Sequence, residues 1–511
     1  MNEKLTIEQT LDKYGFIIHK VQGTSMLPLL NEDTDLVRLV PVKGKLKKYD
    51  LPLYRSPQGT HYILHRILEV KKNYYLICGD NNTFYEKVPF DRVVAVAEGF
   101  YKDGKYVTCD DPEYLKYVEK RCEGSVKSRE VYKKPIRISA EQRLLLDMLR
   151  HAVLDIPYTS KPENINWKLF FVLAQKQEIA AMLYPYVKNT DCPTELLIRW
   201  KQVADMALRK EILFDAERKA IFAEFEKEKI KYLPLKGIII KEFYPHKGMR
   251  QFADNDILFD GERRLDVQQI MEARKYEVAF EVAHDVYTRA PFYIYEMHKT
   301  LFSPNNPLQK GFSDIWNRAV CDAEGSYAYH MTDEDFYFYI VSHFYKHYST
   351  VGAGLRYFAD LFLMRRKLIE SHADFDKIKK MLAKAKLDKF NDFAVDLTEG
   401  LFAEEYQELP PEKISYILES GMYGTQENYV TNHLKNQSKI HYIFYRLRDR
   451  LFLPYKEMSV MYPILKKLPF LLPFCWILRA CDKFFTPRNF KKTIRELKIV
   501  FHFNKNLFDD D

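Results

Sequence analysis

Ser25 stands in Gly-Thr-Ser-Met-Leu-Pro (residues 23–28), His65 in Leu-His-Arg-Ile (64–67) and Asp80 in Gly-Asp-Asn-Asn (79–82). A serine hydroxyl attacks a carbonyl at neutral pH only when a base removes its proton. His65 is a residue of the type that does this, and a carboxylate that holds the imidazole in one tautomer completes a Ser-His-Asp arrangement. Asp80 is the preferred orienting acid and Asp91 the alternative. Asp35 and Asp50 read as turn residues, and His61 reads as a surface strand residue.

A second group lies between residues 230 and 300. Asp254 and Asp256 flank a single residue, and on a strand such positions point to one face. Two carboxylates so placed can hold Mg²⁺, an ion that takes oxygen ligands. Glu296, in another strand-like run, supplies a third acid. Three acids on one sheet face, opposite a glycine turn at Lys236-Gly237 for a triphosphate, describe a two-metal phosphoryl-transfer site. Arg250 either touches phosphate or pairs with a nearby acid. His298, His343 and His347 have the company of metal ligands, but histidines in a helical bundle are more often hydrogen-bonded core. Asp360 fits a cap or an ion pair within the bundle.

These side chains need very different supports. Residues 14–108 hold short β-rich runs (16–21, 36–40, 51–54, 62–70, 74–78 and 93–97) separated by Gly, Pro, Asn and Asp, and 101–107 reads as a closing hairpin. Residues 109–136 are charged and weakly periodic, with a short helix at 113–121, and read as a linker. From Ser139 the spacing of Leu144, Leu145, Met148, Leu149, Ala152 and Val153 is helical. Helices continue to 226, strands and helices mix over 230–300, and helices return from 332. The expected fold class is multidomain α+β, with a small all-β domain at 1–108. A mostly helical domain at 137–400 carries a small mixed sheet, and 401–511 form a basic, aromatic helical extension.

The three N-terminal boxes, in this order, resemble the signal-peptidase and LexA-like serine peptidases, in the branch with histidine as base. Leu235-Lys-Gly, Tyr244, Arg250, Asp254-x-Asp256, Glu296-x-His298 and the stretch from His343 to Asp360 resemble the uncharacterised nucleotidyltransferase family of the polymerase-β-like superfamily. The second resemblance implies transfer of a nucleoside monophosphate from a nucleoside triphosphate to an acceptor it does not name. The chain departs from that superfamily in having Lys236-Gly237 where most members have Gly-Ser in the phosphate turn.

The chain has 511 residues, 47% of them apolar and 29% charged, as in ordinary globular proteins. The net charge of +8 is local: residues 433–511 contain sixteen Lys and Arg against seven Asp and Glu. The seven cysteines form no C-x-x-C pair, which argues against a zinc site or a disulfide framework and fits a reducing cytoplasm. Residues 1–13 lack the apolar run of a signal peptide, and no run reaches the ~20 apolar residues of a membrane-spanning helix.

The expectation is therefore a two-module protein that cleaves a peptide or protein at Ser25 and uses a nucleoside triphosphate with Mg²⁺ at the acids. No nucleic-acid partner is expected. Two alternatives stand beside it: a non-catalytic peptide-binding protein in a biosynthetic complex, or a nucleotidyltransferase whose β module recruits a protein acceptor. The basic, aromatic stretch 442–485 suits either peripheral contact with an anionic membrane or, more plainly, helices completing the second domain.

Overall fold

The computed structural model describes residues 6–500 apart from 58–60, 103, 127–131, 133–136, 252, 282, 404–408, 436, 486–492 and 498. Described residues up to 132 form one compact unit and those from 137 onward another.

The first unit begins with α1 (Ile7–Tyr14), started by a reciprocal Thr6–Gln9 capping box and ended by Gly15 at φ +75°. The strands are β1 (Ile17–Lys20), β2 (Leu36–Pro41), β3 (Pro52–Arg55), β4 (Tyr62–Leu64), β5 (Arg66–Val70), β6 (Tyr74–Cys78), β7 (Glu86–Pro89), β8 (Val93–Lys102) and β9 (Lys105–Thr108). One sheet runs β1-β2-β8-β3-β4 with β9 added to β8; the other runs β5-β6-β7. The apolar run 62–70 reads as one strand but is two: the chain leaves one sheet after Leu64 and enters the other at Arg66. His65 stands at that crossing. The stretch read as a linker contains α2 (Pro112–Cys122), capped by Asp111. Its Tyr114 and Val118 are buried in the same core as Leu39, Leu53 and Phe100. The linker expectation missed these two apolar residues, four apart on one helix face.

The second unit opens with α3 (Ala140–Leu154), α4 (Trp167–Lys176), α5 (Ala180–Val187) and the long α6 (Thr194–Lys227). Its sheet is built from β10 (Tyr232–Pro234), β11 (Asn255–Phe259), β12 (Glu277–Phe280), β13 (His284–Arg289) and β14 (Tyr293–His298), in the order β10-β11-β14-β13-β12. β11 and β14 are parallel and the other neighbours antiparallel. Between the strands lie α7 (Gly237–Ile240) and α8 (Arg264–Ala273). One sheet face packs Ile257, Phe259, Tyr287, Tyr295 and Met297 onto Ile221 and Phe225 of α6 and Val267 and Met271 of α8. Each such fully buried side chain contributes roughly 1.5–3 kcal/mol. Because side chains alternate along a strand, Asp256, Glu296 and His298 fall on the opposite face.

That opposite face looks toward a helical bundle. After α9 (Ile315–Arg318) and a short ribbon of β15 (Val320–Cys321) and β16 (Tyr329–His330) come α10 (Asp333–Tyr348), α11 (Leu355–Glu370), α12 (Phe375–Lys384), α13 (Asp388–Leu401) and α14 (Pro411–Ser420). The last helices are α15 (Gln426–Lys435), α16 (Lys439–Leu451), α17 (Tyr455–Met461) and α18 (Leu472–Phe485). Among the described residues no helix is long and apolar enough to cross a membrane.

Candidate functional site

In the N-terminal unit the Gly-Asp-Asn box is a mount for the serine turn. The Asn81 N–H donates to the Ser25 carbonyl at 2.8 Å, and the Asn81 side chain donates to Thr24 O at 3.0 Å. A Cβ on residue 79 would stand 2.6 Å from the Ser25 carbonyl oxygen, so glycine is required there. His65 is buried, and its Nδ1 lies 2.8 Å from Glu86 Oε1 and 3.1 Å from the Tyr54 hydroxyl. Tyr54 donates in turn to Glu86 Oε2 at 3.0 Å. Burial alone would raise the Glu86 carboxyl, but the hydrogen bond and charge of His65 and the Tyr54 bond hold it below its ordinary value. A carboxylate at Nδ1 places the proton there and leaves Nε2 as an acceptor, the tautomer a general base needs.

Two expectations are corrected by this geometry. Asp80 does not orient His65. Its carboxylate is gripped by the Arg66 guanidinium through two 2.7 Å bonds and by the Tyr117 hydroxyl at 3.0 Å, with neither Arg66 nor Asp80 exposed. Cys78 pairs with Arg66 across β5 and β6, so Asp80, two residues past Cys78, lies within reach of the Arg66 guanidinium. The alternative, Asp91, is exposed in a single 3₁₀ turn. The acid beside His65 is Glu86, at the start of β7. Ser25 Oγ and His65 Nε2 are not hydrogen-bonded to each other among the described residues. Asp35 and Asp50 do accept turn N–H groups, from Asn31 and Lys47.

In the second unit, strand register gathers the acids. Asp256 pairs with Glu296 across the parallel β11–β14 contact, and His298 lies two residues beyond Glu296, opposite His284 of β13. Asp256, Glu296 and His298 each offer a ligand atom, and these atoms lie within 4.8 Å of one another. His298 Nε2 is 2.9 Å from Asp256 Oδ1 and 3.5 Å from Glu296 Oε2. His298 Nδ1 is buried without a hydrogen-bond partner. Asp254 lines the same cavity but stands outside this three-atom cluster. Burial, and after it the Asp256 charge, push the Asp254 carboxyl up to about 6. Burial opposes ionisation of Asp256 too, yet the Lys236 charge and the His298 hydrogen bond hold it well below the usual carboxylate range.

Lys236 sits in the turn between β10 and α7 at φ +45°, a left-handed conformation that is costly for a residue with a Cβ. Its Nζ lies 2.7 Å from Asp256 Oδ1. Gly237 follows at the first position of α7, and both line the cavity with the acids. Arg250 also lines it, but its guanidinium is committed: Nε and Nη2 donate to Asp360 at 2.8 and 2.7 Å, and the Tyr244 hydroxyl donates to the same carboxylate at 2.7 Å. Of the two roles open to Arg250, the structure shows the ion pair.

The bundle wall of this cavity, which has a volume of about 340 Å³, supplies groups that sequence reasoning did not single out. Lys346 of α10 reaches it with no carboxylate partner among the described residues. Arg356 of α11 is buried, donates to the Gln251 carbonyl and has an unpartnered Nε. Neither carries a local motif, because each is brought in by a helix far along the chain. His343 and His347, placed in the core by sequence, stand in the wall one turn apart with their Nε2 atoms 3.2 Å apart. Burial, followed for His343 by the Lys236 charge, pushes both below the usual imidazole range, His347 to about 4, so both are neutral near pH 7.

Two carboxylate oxygens and an imidazole nitrogen are a chemically sound donor set for a divalent cation. The oxygens suit Mg²⁺, and the nitrogen suits first-row transition ions better. No curated protein matches the chain. The N-terminal unit lies outside the residues that match a family model. Residues 163–403, which include Lys236, the acids and the α10–α11 wall, match the model of a nucleotidyltransferase family described as uncharacterised.

Proposed function

We propose that the second unit transfers a nucleoside monophosphate from a nucleoside triphosphate to an acceptor. The convergence of Asp256, Glu296 and His298 beside the Lys236-Gly237 turn carries this reading. Asp256 and Glu296, with Asp254 adding charge and His298 adding nitrogen, would hold a divalent cation, Mg²⁺ on the carboxylates alone. A bound cation neutralises phosphate charge and polarises the phosphoryl group. Lys236 and Lys346 lie on two sides of the cavity and attract the remaining phosphate charge. Asp254 lines the cavity beside the cluster and is placed to take the proton of the acceptor. A groove of about 590 Å³ along α6 shares Ala253 and Tyr423 with the cavity and offers the acceptor a way in. Incubation with each labelled nucleoside triphosphate and Mg²⁺ or Mn²⁺ tests the reading. No label transferred to any acceptor, and no release of pyrophosphate, would overturn it.

Cation binding should depend on pH in a stated direction. The Asp254 carboxyl is raised from its ordinary 3.8 to about 6. Between those values the folded chain keeps a proton that the unfolded chain has lost, so this group's stabilising contribution fades as pH rises through 6. A cation favours the ionised form. Its affinity should therefore fall by up to about tenfold per pH unit below 6, with proton uptake on release. Calorimetry in buffers of different ionisation enthalpy measures both, and a pH-independent affinity between 5 and 7 would contradict the assignment.

For the first unit the His65–Glu86–Tyr54 network favours a second reading: a serine hydrolase in which Ser25 attacks an amide, His65 acts as base and Glu86 positions it. A serine-directed fluorophosphonate should label Ser25 in the full chain. Labelling should slow about tenfold or more in Glu86→Gln, within the range that general-base catalysis contributes. Absent labelling would leave a peptide-gripping module that brings a protein acceptor to the nucleotidyltransferase.

A further inference from the structure

The C-terminal helices carry apolar side chains outward. On α16, Ile440 is 82% exposed and Phe444 69%, with Leu447 one turn further on the same stripe. Before and along α18, Phe470 is 74% exposed, Phe474 57% and Ile477 60%, again at helical spacing. The two helices pack against each other. Their inward residues are satisfied separately: Tyr442 joins Val430, Leu434 and Val500, and Cys475 joins Met458 and Leu465. The outward Phe and Ile residues are thus extra to the core, and single exposed apolar residues would be ordinary where repeated stripes are not.

Charge selects what covers them. Residues 458–481 contain Lys466, Lys467 and Arg479 and no acid. Lys466 and Lys467 are exposed between the exposed Ile464 and Phe470. Apolar stripes beside lysines that make no ion pair among the described residues match an anionic lipid surface, where the rings enter the headgroup boundary and the lysines meet the charge. Length excludes a span: α18 has 14 residues, roughly 21 Å of helix, against a hydrocarbon core of about 30 Å. Pro469 and Pro473 interrupt any longer apolar helix.

We propose that α16, the lysine-bearing segment and α18 dock this protein on the surface of an anionic bilayer. The proposal is independent of the nucleotidyltransferase reading. Full-length chain is sedimented with vesicles of phosphatidylglycerol mixed with phosphatidylcholine, and with phosphatidylcholine alone. Association should be at least about tenfold stronger with the anionic vesicles and should weaken in high salt. Phe470→Glu/Phe474→Glu should lower it by about tenfold or more with unchanged circular dichroism and thermal unfolding, and Lys466→Glu/Lys467→Glu should lower it by about tenfold. No association with anionic vesicles at low salt, or association unchanged by either pair, would overturn the proposal. So would a wild-type dimer in sedimentation velocity that Phe470→Glu/Phe474→Glu makes monomeric, since a second copy would then own the face.

Discussion

Replacing Asp256 with Asn is expected to lower nucleotidyl transfer by about a thousandfold, because the change removes a carboxylate that would hold the cation, and that cation would neutralise the phosphate charge. Asp256 is the centre of the cluster: Lys236 Nζ and His298 Nε2 both contact Oδ1, and Glu296 is its neighbour in register. Asn is of similar size and keeps an acceptor for both neighbours, so folding should survive with a modest loss. The measurement is label transfer from a nucleoside triphosphate, beside cation affinity by calorimetry, which should fall at least about tenfold. Wild-type transfer and affinity in this variant would remove the acids from the chemistry.

The largest stability effect is expected at Asp360. Its carboxylate neutralises Arg250 and accepts the Tyr244 hydroxyl, all three groups being buried. Asp360→Ala strands a guanidinium in the interior and should cost about 3–5 kcal/mol, read from urea unfolding of the full chain. Arg250→Met/Asp360→Leu should recover much of that loss, since two apolar side chains leave no charge unpaired. The double variant also separates the two roles considered for Arg250. If it stays folded and transfers nucleotide normally, the arginine braces the wall; if transfer alone collapses, the arginine also holds phosphate.

How far the sequence could be read depended on how local each signal was. Glu296-x-His298 announces itself, because strand alternation puts both residues on one face of β14 within an apolar run, whereas Asp254 precedes the first residue of β11 and lines the cavity from outside that strand. Which acid faces His65 was not legible. Asp80, Glu86 and Asp91 are all near in sequence, and the choice is made by the β5–β6 register, which gives Asp80 to Arg66. Glu86 was overlooked because Glu-Lys-Val-Pro is too short and polar to look like a strand; pairing with β6 makes it one. Lys346 and Arg356 lie on helices whose sequences report only amphipathicity, so their entry into the cavity appears once α10 and α11 are packed over the sheet. The fold class was the most legible layer, since the change from alternating to helical spacing near residue 139 is long and unambiguous.

Gly79, Asp80 and Asn81 have a consequence for how such motifs are interpreted. Each is fixed by a mechanical duty: clearance for the serine turn, a counter-ion for Arg66, a tether to Thr24 and Ser25. None of these duties involves the serine hydroxyl. A descendant in which residue 25 had become alanine would still need all three to fold, so the box would outlive the reaction, and its presence in a genome counts scaffolds rather than working hydrolases.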